Sequence, residues 1–106
     1  MRRSVSIVTV LLAMALGSQV HAQGLTDANR EMINATGQAD AMALVCGKWN
    51  EAQIKAHKAE ARRIYLADGV APAVFEATYM QGFNEVKALA KTNHVQPGHP
   101  MCQRRR

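Results

Sequence analysis

An all-α fold, a small bundle of about three helices with a C-terminal tail tied back by one disulfide, is what the sequence predicts, on three observations. Apolar residues recur at spacings of three and four along three segments, no alternating apolar and polar run exceeds four residues, and two cysteines, Cys46 and Cys102, bracket most of the helical stretch. The first helix has Thr26 as its N-cap and Asp27 in the first turn, where a negative charge suits the helix dipole. Met32, Ala35, Ala39, Met42 and Val45 or Cys46 then form one apolar stripe that stops near Gly47, and Gly37 marks a kink or a boundary between two shorter helices.

The second helix begins at Asn50, with Gln53 placed to close a capping box. Ile54, Ala61, Ile64 and Tyr65 make its stripe, His57 lies at the boundary of that stripe, and Asp68-Gly69 ends the helix. The third opens at Pro72, whose fixed φ and missing N–H are tolerated in a first turn. Phe75, Tyr79, Gly82, Phe83, Val86, Leu89 and Ala90 give the clearest stripe in the chain, and Gly82 between aromatic residues reads equally as a close approach by another backbone or as simple tolerance of a glycine. From Thr92 onward two prolines and Gly98 rule out a long helix, leaving a tail. Helices joined by short connections alternate in direction, so the third ends level with the first and brings Cys102 toward Cys46.

Ahead of this domain, Met1-Arg2-Arg3, the apolar run Ile7 to Gly17 and the ending Val20-His21-Ala22 have the order and sizes of a cleavable secretory signal. The expected organisation is therefore a signal peptide over 1–22, a helical domain over 23–91 and a Pro/Gly/His-containing tail over 92–106. The apolar run is too short to span a bilayer, so no stable membrane span is expected after cleavage. In a periplasmic or secreted location the environment is oxidising, and two cysteines in a small exported domain are expected to pair. An 84-residue mature chain buries only roughly 60% of its unfolded surface, so such a staple matters to its stability.

Charge excludes one large class of partner. The whole chain carries 13 Lys and Arg against 8 Asp and Glu, but two arginines leave with the signal and three more are the terminal Arg104, Arg105 and Arg106. The stretch between is balanced, which is not the basic face of a nucleic-acid binder. The Arg triplet is a weak candidate for contact with an anionic surface.

Catalytic chemistry is not visible. No serine occurs beyond residue 22, no glycine-rich phosphate loop or Asp-rich calcium loop is present, and the glutamates do not pair at helical spacing. The reading is therefore a non-enzyme without a cofactor. His94 and His99, with Cys102, form the densest set of soft ligands and give the alternative of a small metal-binding protein, although a disulfide at Cys102 would remove its thiolate. Trp49 is expected to cap the core beside the disulfide, with a ligand-facing role as its competitor. Trp49, Phe75, Tyr79 and Phe83 are the aromatic candidates for a binding surface, and Met32, Met42, Met80 and Met101 could serve either core or groove.

A secretory signal, an all-helical mature domain of this length and one long-loop disulfide resemble the acid-stress periplasmic chaperones of the HdeA and HdeB kind. The resemblance implies a fold held by its disulfide and apolar surface exposed when acid protonates carboxylates. Leu44-Val45-Cys46-Gly47-Lys48-Trp49 depart from the surroundings of that family's first cysteine, and no functional residue is carried over. The expectation is an exported protein that acts by binding other envelope or secreted proteins, chaperone-like or as an accessory factor. A secreted factor with another target is a further alternative, and a leftover apolar stripe leaves room for a homodimer.

Overall fold

The computed structural model describes residues 25–103, all of whose regular structure is helical. The signal-peptide segment and the Arg104 to Arg106 triplet lie outside the described residues. Among the described residues four helices follow in order: α1 (Asp27–Val45), α2 (Glu51–Ala67), α3 (Pro72–Thr92) and a single-turn α4 (Pro100–Gln103).

The helix boundaries have local causes. Thr26 Oγ1 accepts from Asn29 N at 3.0 Å and starts α1. At α2 the capping box is complete, with Asn50 Oδ1 accepting from Gln53 N and Gln53 Oε1 accepting from Asn50 N, each at 2.8 Å. Gly69, at φ 102°, stops α2 while Val70 N donates back to Tyr65 O. The end of α3 uses the same device without glycine: His94 takes φ 56° and Val95 N donates to Ala90 O.

The helices alternate in direction, so α1 and α3 run parallel and α2 crosses antiparallel to both. The α1–α3 pair is the backbone of the fold, and two glycines make it so. A Cβ added at Gly37 would overlap the Tyr79 carbonyl oxygen, and one at Gly82 would overlap the Asn34 carbonyl oxygen. Each helix thus presents its glycine to the other's main chain, which decides between the two readings of Gly82 in favour of close approach. Gly37 is not a kink: α1 runs unbroken through it. Gln38 Nε2 adds a polar clasp between the two helices, donating to Glu85 Oε1 at 3.1 Å.

This contact rotates α1 away from its expected orientation. Ile33, Gly37, Asp40 and Ala41 face inward, while Met32 is 59% exposed and Ala35 and Ala39 also face outward. The stripe with the more hydrophobic side chains loses because only the Gly37 face admits α3 so closely, and because Asp40 finds partners inside. Leu89 and Ile64, also expected on inward stripes, are 62% and 49% exposed.

Ile33, Val70, Phe75 and Tyr79 form the central core, with Ala61, Tyr65, Leu66, Val74, Met80 and Phe83 packed around it. Burying each of the larger side chains contributes about 1.5–3 kcal/mol. The aromatic residues of α3, four apart, stack in a column: Phe75 and Tyr79 at 5.7 Å between centroids, Tyr79 and Phe83 at 6.0 Å.

Cys46 and Cys102 are bonded, with their Cα atoms 5.5 Å apart and both residues buried. The tail is thereby fastened to the end of α1, as the alternating topology requires. It is not wholly irregular, since Cys102 sits in α4, where Met101 N of the first turn donates to His99 Nδ1 at 3.0 Å.

Candidate binding groove

Where α2 crosses α1 and α3, the three helices leave an open furrow of about 260 Å³. Leu44 of α1 and Ile54 of α2 contribute to its floor, and Tyr79, Met80 and Phe83 of α3 complete it. The floor is apolar because Tyr79 and Phe83 lie one turn apart on a single face of α3 and Ile54 meets them from the opposing helix.

The rim is charged for the same geometric reason. Glu51, Lys55 and Lys58 follow one another along a single side of α2, and Lys87 stands one turn beyond Phe83 on α3. Lys58 is partly spent: its ammonium lies 2.5 Å from Glu76 Oε2, 3.8 Å from Met80 Sδ and 5.1 Å from the centre of the Tyr79 ring. Lys87 Nζ is 5.7 Å from the Phe83 ring centre. Neither Lys55 nor Lys87 forms an ion pair among the described residues, so both carry charge available to an occupant.

Beneath the floor lies a buried polar network. Asp40 is 2% exposed, and its carboxylate accepts from Tyr79 Oη at 2.5 Å and from His57 Nδ1 at 2.9 Å. These bonds tie all three helices together and hold the Tyr79 ring in the groove floor. Burial first, and then the hydrogen bond to Asp40, push the Tyr79 hydroxyl well above its ordinary pKa of 10.0, so it remains a donor. His57 in turn packs against Trp49, 4.9 Å between ring centres. Among the described residues no buried side-chain polar atom lacks a partner.

The sequence candidates distribute unevenly around this site. Phe83 lines the groove, and Tyr79 lines it while being 1% exposed overall. Phe75 is wholly buried and offers nothing to a ligand. Trp49 is half-buried and packs on His57. Met80 serves the groove, Met32 points to solvent, and Met42 and Met101 border a second hollow of about 270 Å³ beside the disulfide. His94 ends α3 with its left-handed backbone, His99 Nδ1 accepts from Met101 N at the start of α4, and Cys102 is consumed in the disulfide. Among the described residues, no three His, Cys, Asp or Glu side chains converge as a metal site.

Asp40 escaped the sequence reading. Its signal was a lone carboxyl between Ala39 and Ala41 within a helical run, but its partners lie 17 and 39 residues away and only the fold brings them in. The lysine rim was likewise divided between two helices.

The class defined here is a small three-helix bundle, stapled by one disulfide, with an apolar groove under a lysine rim. The disulfide points to an oxidising, exported location. Among the described residues no helix is long and apolar enough to cross a membrane. Comparison of the chain with protein-family models, with curated proteins and with solved structures found no match.

Proposed function

We propose that this chain is a periplasmic or secreted, non-enzymatic protein that acts by holding a segment of another envelope or secreted protein in the groove between α2 and α3. The observation that carries the reading is the furrow itself: Ile54, Met80 and Phe83 line an open apolar depression on a domain too small to waste such surface. Methionine and lysine side chains on its walls adapt to irregular partners. The stapled tail and the Asp40 network hold the three helices in place, so the groove exists before the partner arrives and less ordering entropy opposes binding.

A binding role is favoured over catalysis by what surrounds the Asp40–His57 pair. Both cysteines are in the disulfide, and no serine occurs beyond residue 22, which leaves the pair without a hydroxymethyl or thiol nucleophile to activate.

The test is site-specific photo-crosslinking in the exporting cell. A photoreactive residue at position 55 or 87 should give discrete adducts with another protein, while one at Met32 or at Glu60, on the opposite side of α2, should not. Equal labelling from all four positions, or none from 55 and 87, rejects the reading.

A further inference from the structure

We infer that the groove's occupant is an acidic amphipathic segment of the partner protein: a short helix or turn that lowers one or two bulky apolar side chains onto Met80 and Phe83 while its Asp or Glu residues meet Lys55 and Lys87. This rests on the protein-binding role proposed above and names the chemistry of what is bound.

Three features lead to it. The furrow, at about 260 Å³, is below the usual range for a whole drug-sized ligand but accommodates side-chain anchors from a larger body lying across its open mouth. Its rim places on each wall one ammonium without an ion pair among the described residues, Lys55 on α2 and Lys87, which lies over the Phe83 ring, on α3, so an occupant lying along the furrow meets positive charge from both sides. Lys58 contributes less, because Glu76 already holds its ammonium. The rim is not uniformly positive: Glu51 lines the end of the furrow at the first turn of α2, where the helix dipole stabilises its carboxylate. Because α2 and α3 run antiparallel and Lys58 meets Glu76 and Met80, Glu51 is level with Lys87 and offsets part of the positive rim there, while Lys55 and Lys87 remain the charges that the occupant's acidic residues meet.

Apolar contact with the floor supplies the affinity, while the rim supplies selectivity and speed of association. Binding therefore weakens with salt, since exposed charges are screened over about 8 Å at physiological ionic strength. A basic or neutral segment of equal apolarity gains the floor and forfeits the rim.

Fluorescence polarisation on the oxidised, exported protein tests this with four probes: an amphipathic peptide bearing Leu and Phe on one face and Glu on the other, its counterpart with Lys in place of Glu, an acidic peptide without an apolar face, and dodecanoate as competitor. The acidic amphipathic peptide should bind most tightly and weaken with salt. The double variant Lys55→Glu, Lys87→Glu should bind it about tenfold more weakly, as expected for two rim charges reversed, while Glu51→Gln should bind it more tightly. Both substitutions change exposed side chains, and unaltered thermal melting will show that the fold is intact. Equal affinity for the basic peptide, or an unchanged Kd in the double variant, overturns the acidic occupant and leaves the groove as a protein site. Binding of dodecanoate with no peptide binding overturns the protein partner as well and makes the groove a site for small anionic amphiphiles. Absence of binding by every probe rejects the inference at the first step.

Discussion

Asp40 shows how one residue can hold both a fold and a site. Inserted among alanines on α1, it would cost several kcal/mol as an unpaired buried charge, but Tyr79 and His57 donate to it from the other two helices. Removing the tyrosine hydroxyl therefore does more than delete a bond, because Asp40 stays buried with one donor fewer. Tyr79→Phe should lower unfolding free energy by about 1.5–3 kcal/mol near neutral pH, read from urea denaturation. The raised hydroxyl pKa adds a pH signature. The unfolded chain releases this proton near pH 10.0 whereas the folded chain retains it, so the stabilising contribution is complete below pH 10 and declines as pH rises beyond it. Wild type should thus lose stability between pH 9 and 11 more steeply than Tyr79→Phe; equal slopes would show that Tyr79 titrates normally. None of this was legible from single residues, because an Asp between alanines reads as solvated until its partners are in view. The histidines of the tail have local roles that only the backbone reveals: His94 provides the left-handed residue that ends α3, and His99 accepts a backbone bond at the start of α4.

At the scale of helices, starts and stops were readable and faces were not. Thr26, the Asn50–Gln53 box, Gly69 and Pro72 act through bonds and torsions within a few residues, so the sequence displays their causes directly. The facing of α1 depends on the shape of α3. Counting apolar side chains selects the Met32–Ala35–Ala39 stripe, whereas the helix turns Gly37 and Asp40 inward. Glycine in a helix interior normally costs about 1 kcal/mol relative to alanine, so Gly37→Ala and Gly82→Ala would stabilise an isolated helix. Here the sign reverses: each added methyl meets a carbonyl oxygen of the paired helix, and each substitution should destabilise the fold by about 1–3 kcal/mol or more. Chemical denaturation of the two variants checks this, and a stabilised Gly37→Ala would mean that α1 and α3 pack less closely. Because α3 carries the groove floor, both variants should also weaken binding at the furrow.

For the whole molecule the decisive constraint is covalent. The Cys46–Cys102 bond spans a sequence separation of 56 and joins the end of α1 to the one short turn beyond α3. In the chain-entropy treatment a loop of this length contributes about 4 kcal/mol, a large share of the 5–15 kcal/mol that stabilises a typical domain. Reduction and alkylation should lower the melting temperature markedly and free the tail first, since α4 has little else to hold it. Intact mass with and without reductant, followed by melting of both forms, measures this, and a melting temperature indifferent to reduction would show that the helical core suffices. The same mass measurement reads whether the exported chain starts at Gln23.

The all-helical class, the helix limits and the cysteine pairing were determined by the sequence alone, because each follows from spacing, capping chemistry or the parity of cysteines in an oxidising compartment. The identity of the inward faces, the burial of Asp40 and the groove were decided only by tertiary structure. Their causes are contacts between residues 17 to 47 positions apart, Asp40 with His57 and Tyr79, Gly37 with the Tyr79 backbone, and Gln38 with Glu85. Such contacts depend on how closely two backbones can approach, which a single helix's periodicity does not record.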